Sequence, residues 1–184
     1  MQTVRVTEIM VPLEDYATVP EDATMLDAVV ALDRAQAEFD QSRYRHRAVL
    51  VYDDQNNIVG KVSQMDLLRA LEPKIDKLMN AGALARTGYS LDYYQSMARH
   101  GLWSKPLDDL CRKAAGLRVK DFMYAPVEDE FIQEEADLNE AVHRLVVGKH
   151  HSLLVTRGED SRIIGVLRLT DVFKLVTERV KACR

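Results

Sequence analysis

The chain has 184 residues, a net charge of -4, 47% hydrophobic and 29% charged residues, which is typical of a soluble protein with one large or two small domains. The acidic balance argues against a general nucleic-acid binder, and no apolar run approaches the roughly 20 residues of a membrane helix. The first residues lack the apolar core of a signal peptide, so we expect a cytoplasmic protein without membrane or nucleic-acid partners.

Two parts of the chain repeat the same order of predicted elements. One opens at residues 6–10 and the other at residues 119–123, and each opening ends in a methionine. Eighteen residues after Met10 and Met123 stand Ala28 and Ala141, each in a helical pattern of apolar residues. The apolar positions follow the i, i+3, i+4, i+7 spacing of an amphipathic helix: Met25, Ala28, Val29 and Leu32 match Leu138, Ala141, Val142 and Leu145. Thr24 with Asp27, and Asp137 with Glu140, have capping-box spacing at the two helix starts.

A predicted hairpin and a closing helix follow in both repeats. Apolar strands at 48–51 and 152–155 lead through polar turns to second strands, which contain Gly60 and Gly165. Six residues after each glycine an aspartate, Asp66 or Asp171, is predicted to open the closing helix. The first repeat is longer near residues 33–45, which predicts a longer helix or loop there.

These residues resemble the CBS domain family over about 4–71 and 118–178. The resemblance implies an α/β (α+β) fold in which two repeats, each a small mixed sheet with packed helices, pair about a pseudo-twofold axis. The predicted units are repeat 1 (1–71), a helical insertion (72–117) and repeat 2 (118–184). It also implies clefts between the repeats for an adenosine ligand (AMP, ADP, ATP or S-adenosylmethionine), and pairing of modules into a homodimer. The resemblance implies no required cofactor.

The strongest candidates for ligand contact lie in residues 60–66, which match the family pattern G-x-[VI]-[ST]-x-x-D. In relatives the aspartate accepts hydrogen bonds from the ribose hydroxyls and the Ser/Thr hydroxyl lies near the ribose or phosphate. Asp66 and Ser63 take these positions, and a carboxylate is chemically suited to a vicinal diol. Both residues could instead cap the closing helix.

Basic residues precede the first hairpin strand in both repeats: Arg45, His46 and Arg47 in the first, Lys149, His150 and His151 in the second. They resemble the His-Arg pairs of the regulatory subunit of AMP-activated protein kinase, which meet phosphates; the alternative is a solvated strand end. Tyr16 and Ala17 lie where relatives contact adenine, and Tyr16 could stack on the base or simply pack.

The second repeat departs from the pattern. Arg168 replaces the Ser/Thr three residues before Asp171, where it could meet a phosphate or fill the ribose position. The loop at 128–130 is acidic and would repel phosphate if it faced the same cleft. These departures favour the first site over the second.

The insertion is predicted to hold three helical segments, near 74–86, 91–100 and 106–115, with aromatic residues that could pack onto the repeats or meet a partner.

The pattern as a whole favours a regulatory ligand sensor that acts through an effector protein. The alternative is a ligand-free dimerisation or interaction scaffold. We expect no enzyme, since the chain has no nucleophile elbow, Walker A loop or HExxH motif, and no metal site, since Cys111 and Cys183 lack metal-ligand spacing.

Overall fold

Seven strands form two small sheets in the computed structural model, which describes residues 4–39, 45–71, 109–158 and 160–183. One sheet has the order β2-β3-β4 and the other β1-β7-β6-β5, and each combines a parallel and an antiparallel pair around its hairpin. The strands are β1 (Val11–Pro12), β2 (Thr18–Pro20), β3 (Ala48–Tyr52), β4 (Ile58–Ser63), β5 (Phe131–Gln133), β6 (Ser152–Arg157) and β7 (Arg162–Arg168).

Five α-helices accompany these strands within the described residues: α1 (Met25–Glu38), α2 (Gln64–Leu71), α3 (Leu110–Gly116), α4 (Leu138–Val147) and α5 (Leu169–Lys181). The two hairpin units and their closing helices therefore confirm the predicted α/β repeats. The first amphipathic helix has 14 residues against 10 for its counterpart α4, which agrees with the extra length predicted in repeat 1. Residues 72–108 lie outside the described part, so only the end of the predicted insertion can be compared, and it is the helix α3.

The two predicted capping boxes differ. Thr24 and Asp27 exchange both hydrogen bonds, so the first is complete. Asp137 accepts from the Glu140 amide at 3.0 Å, but the Glu140 carboxylate pairs with Arg144 and gives no return bond. The second box is therefore only half formed, because the ion pair one turn along takes the glutamate.

The opening segment of each repeat crosses to the other repeat's sheet. In β1, Val11 pairs with Val166 of β7, and Tyr124 forms the equivalent bridge to Lys61 of β4. The 3-10 turns before these contacts cross as well: Val6 is buried with Ile132, Leu153 and Leu167, whereas Val119 is buried with Val19, Val49 and Val62. Full burial of one valine contributes about 1.5–3 kcal/mol, so each repeat is stabilised by residues of the other.

The methionines and glycines of the repeat meet across this exchange. A Cβ built on Gly60 would lie 2.5 Å from the Met123 sulfur, and one on Gly165 would lie 2.8 Å from the Met10 sulfur. A larger residue at Gly60 would force Met123 to shift, and at Gly165 a Cβ would also lie 2.6 Å from the Val11 carbonyl oxygen, which only glycine permits. The shared Met and Gly positions of the two repeats are therefore contacts between the repeats.

A third cluster of buried residues joins the two sheets. Leu50 of β3 and Leu154 of β6 are its central aliphatic members, with Val11 and Val166 beside them and Tyr16 and Phe39 at one side. The sheets thus pack on each other with matching strands related by a pseudo-twofold axis. Both closing-helix aspartates lie in the first helical turn that follows the second hairpin strand of their repeat.

Candidate functional site

The repeat relates two groups of residues where the end of one repeat's hairpin meets the crossing segment of the other, and we name them the first and the second cleft after the clefts that the family resemblance predicts. The first cleft combines Lys61, Ser63 and Asp66 with residues 129–130 and His150; the second combines Arg168 and Asp171 with Tyr16, Phe39 and His46. Lys61 and Ser63 lie on the same face of β4 because side chains alternate along a strand. Lys61 pairs with Glu130, which brings the acidic loop to the first cleft.

The first cleft is built on the start of α2. Ser63 precedes the helix, and Asp66, which was predicted to open it, is its third residue. Oδ2 of Asp66 accepts from the Ser63 amide at 2.9 Å and the Ser63 hydroxyl at 2.6 Å, and the Asp66 amide donates back to that hydroxyl at 3.2 Å. Oδ1 lies 3.6 Å from Arg69 and accepts no hydrogen bond from the described residues. One carboxylate oxygen therefore caps the helix while the other is available to a donor.

A buried ion pair crosses the first cleft. Glu130 is 3% exposed at its side chain; it pairs with Lys61 at a short distance and accepts from the Val127 amide at 3.2 Å. The Lys61 ammonium also lies 5.2 Å from the ring centre of Tyr124, a cation–π distance. Burial and the hydrogen bond with Glu130 raise the pKa of Tyr124. The pair thus fixes the crossing segment of repeat 2 against β4.

His150 closes one side of this network. Its Nε2 lies 3.1 Å from the Asp129 carboxylate and its Nδ1 lies 3.8 Å from Glu130. The ring rests on Gly148, where an added Cβ would approach it to 2.0 Å. The histidine is therefore wedged beside carboxylates, with only 12% of its side chain exposed.

The second cleft contains a different pair at the equivalent positions. Arg168 donates from Nε to Oδ2 of Asp171 at 2.5 Å and from Nη2 to Oδ1 at 2.8 Å. Both side chains are buried, with 6% and 7% exposed. Such a two-point guanidinium–carboxylate contact is strong and geometrically specific. Both oxygens of Asp171 are occupied, in contrast to the single occupied oxygen of Asp66.

Aromatic side chains of repeat 1 cover this second pair. The Arg168 guanidinium lies 5.3 Å from the Phe39 ring centre, and the His46 ring lies 4.2 Å from Phe39 and 4.8 Å from Tyr16. Burial raises the pKa of Tyr16 to about 12, although Arg168 acts in the opposite direction and Asp171 adds to the rise. Tyr16 and His46 are therefore brought together with Arg168 and Asp171, across the two repeats.

The remaining predicted contact residues lie elsewhere. Ala17 is buried in the core of repeat 1, where its carbonyl accepts from the Leu50 amide at 2.9 Å. Arg47 and His151 are exposed, and their carbonyls accept from the first amides of α2 and α5. Their side chains stand at the rims of the hairpins, so their contact with a ligand stays a prediction.

Two of three cavities are lined by repeat 1 alone and the third by both repeats, and neither Ser63 nor Asp66 lines any of these three. One of about 720 Å³ separates α1 from Tyr16 and Phe39, and one of about 810 Å³ lies on the other side of Tyr16, with Arg157 and Arg162 in its wall. A smaller one of about 340 Å³ is lined by Arg45, His46, Arg47 and Gln64 at the end of the first hairpin. Their volumes cover the range of small-molecule sites.

Sequence reasoning missed three residues of the clefts. Phe39 follows the longer helix of repeat 1, and nothing in its local pattern distinguished it from an ordinary helix end. Lys61 carried a signal, since it is a charged residue within an apolar strand. Glu130 belongs to the acidic loop, which was considered from the sequence only for the second cleft. The structure places it against β4 of the first repeat, where the Lys61 ammonium compensates the carboxylate charge that would otherwise repel phosphate.

The comparisons with known proteins agree with this architecture. The CBS domain family model matches residues 6–73 and 119–178, so the chain belongs to the CBS domain family.

Solved structures share the fold at low identity. The CBS-pair protein CBSX2 from Arabidopsis thaliana is 20% identical, with 98% of this chain and 99% of that chain covered and a TM-score of 0.60. The same protein solved in complex with AMP gives 20% identity, coverages of 95% and 97%, and a TM-score of 0.58. The CBS domain of a bacterial CNNM/CorC family Mg²⁺ transporter in complex with ATP is 19% identical, with 95% of this chain and 87% of that chain covered and a TM-score of 0.58. A search of curated proteins gave no match.

The described residues contain neither a helix long and apolar enough to cross a membrane nor a group of three potential metal ligands.

Proposed function

We propose that the chain is a regulatory module that binds an adenine nucleotide or S-adenosylmethionine in the first cleft. The observation that carries this proposal is the geometry of Asp66, whose Oδ2 is held by Ser63 while Oδ1 can accept a ribose hydroxyl. The fold supports it, since related CBS pairs were solved with AMP and with ATP. Arg47 at the rim would meet the phosphate.

Binding would act through the interface between the repeats. A ligand held by Asp66 also adjoins the crossing segment of repeat 2, where Lys61 meets Glu130. It can shift the arrangement of the repeats, or of a homodimer, only by its different affinities for the two states. The output would pass to an effector protein, and the module itself would be cytoplasmic and non-catalytic.

An exposed apolar stripe supports the pairing of two chains. Leu169, Phe173, Val176 and Val180 follow one face of α5, with Phe173 62% and Val180 64% exposed. Such a stripe is suited to helix-to-helix contact between protomers.

The proposal is tested by titrating AMP, ADP, ATP and S-adenosylmethionine calorimetrically, with GTP as a specificity control. A hydrogen bond to a charged group contributes about 1.5–3 kcal/mol, so Asp66→Ala should raise the dissociation constant of the ligand about 10- to 150-fold. In a thermal-shift assay, ligand at about 100 times its dissociation constant should add about 2.7 kcal/mol of stability.

A matched control separates binding from capping. Asp27 makes the same three bonds with Thr24 at the start of α1, at 2.8, 2.7 and 3.1 Å. Asp27→Ala should destabilise the protein as Asp66→Ala does and leave affinity unchanged. Equal affinity in wild type and Asp66→Ala would mean that Asp66 only caps α2.

The scaffold function is favoured by one observation, the occupation of Asp171 by Arg168 in the second cleft. If no adenosine ligand binds at millimolar concentration, this function replaces the sensor.

A further inference from the structure

We propose that Arg168 closes the second cleft by occupying Asp171 from within the chain, so that each chain binds one ligand and not two. This inference rests on the proposed function for ligand binding in the first cleft, but the contacts that support it lie in the second cleft. The repeat makes the two clefts equivalent, and at the position three residues before the aspartate the first has Ser63 and the second has Arg168.

The carboxylates of the two clefts have different capacities to accept. One carboxylate oxygen of Asp66 accepts hydrogen bonds from Ser63, whereas both oxygens of Asp171 accept from the Arg168 guanidinium, at 2.5 and 2.8 Å. A vicinal diol needs acceptor sites on the carboxylate, and the fork of Arg168 faces both oxygens of Asp171. Arg168 thus takes the place that a ribose would require.

The guanidinium is held in that position from a second side. It lies 5.3 Å from the Phe39 ring centre, and Arg168 as a whole is 5% exposed. His46 packs against the same ring at 4.2 Å and Tyr16 closes the next side. All three of these aromatic side chains come from repeat 1, so both repeats contribute to the closure.

Opening this cleft for a ligand has a high free-energy cost. The ligand would have to separate a buried ion pair, and a buried charge without its partner is strongly unfavourable. In the first cleft, freeing the Asp66 carboxylate disturbs only a 3.6 Å contact with Arg69, whose side chain is 59% exposed. The buried Lys61 and Glu130 of this cleft pair with each other and not with Asp66. The difference in the accessibility of the two aspartates therefore follows from Ser63 in the first cleft and Arg168 in the second.

The test is the stoichiometry of AMP binding to the full chain, measured by calorimetry and by native mass spectrometry. Wild type should bind one AMP per chain and Asp66→Ala should bind none in the same range. Arg168→Ser, which introduces the residue found at the equivalent position 63, should bind two, and the double variant Asp66→Ala with Arg168→Ser should bind one.

The outcomes separate this proposal from the proposed function. Two AMP molecules on wild type, or no additional AMP on Arg168→Ser, overturns the closure. Absence of AMP on wild type counts against the first cleft alone, because Arg168→Ser would still gain a site if the closure is real. A melting curve checks that each variant folds; if Arg168→Ser does not, Arg168→Gln keeps most of the volume and releases one Asp171 oxygen.

Discussion

The Lys61–Glu130 pair should be among the most sensitive polar contacts of the protein. Glu130 is almost fully buried at 3%, and its carboxylate serves the Lys61 ammonium, the Val127 amide and the Tyr124 hydroxyl. Removing one partner of a buried pair costs about 3–5 kcal/mol because the other charge is left without compensation. Lys61 is 16% exposed and can partly reach water, so we expect Glu130→Ala to cost about 3 kcal/mol.

Urea denaturation followed by circular dichroism at pH 7 measures this cost. With a slope of about 2 kcal/mol/M, the midpoint should fall by about 1.5 M. The control is Glu38→Ala, since Glu38 and its partner Arg34 are 67% and 78% exposed and an exposed pair contributes about 0–1 kcal/mol. A double variant, Lys61→Met with Glu130→Leu, should recover most of the loss. A loss below about 1 kcal/mol for Glu130→Ala would refute the reasoning.

Three further predictions concern charge, pH and assembly. Arg47→Ala should weaken ATP and AMP more than adenosine in calorimetric titrations, and an equal loss for all three would make Arg47 structural. Unfolding free energy should fall between pH 10 and about 12, because unfolded Tyr16 loses its proton near 10 while the native pKa is about 12. Each unit of pKa shift corresponds to about 1.4 kcal/mol, so Tyr16→Phe should remove up to about 2.7 kcal/mol of this fall, measured by urea denaturation at each pH. Identical pH profiles of the unfolding free energy for wild type and Tyr16→Phe would contradict this prediction. Phe173→Asp should convert a dimer to a monomer in light-scattering chromatography, and an unchanged mass would place the interface elsewhere.

The repeated elements could be predicted from the sequence because their signals are local. Helix periodicity around Ala28 and Ala141, and turn residues between apolar strands, depend on residues a few positions apart. The exchange of opening segments could not be predicted in this way. Val6 and Val119 are simply buried apolar residues in either arrangement, and only the packing decides which core they join.

The composition of the clefts was harder to predict for the same reason. The motif identified Ser63 with Asp66, and Arg168 with Asp171, because each pair is three residues apart on one helix start. Their facing groups come from the other repeat, more than 60 residues away in the case of Lys61 and Glu130. Whether a particular nucleotide enters depends on these non-local contacts, and the roles of the individual residues stay predictions.

The Met–Gly contacts between the repeats constrain how the sequence of such a chain can evolve. Met10 packs on Gly165 and Met123 on Gly60, so the partners that must remain compatible stand in different repeats. Substitutions at these positions should therefore covary across the duplication, residue 10 with 165 and residue 123 with 60, and not within either copy. The two repeats must therefore be inherited together, because a recombination event that separated them would remove residues from the hydrophobic cores of both.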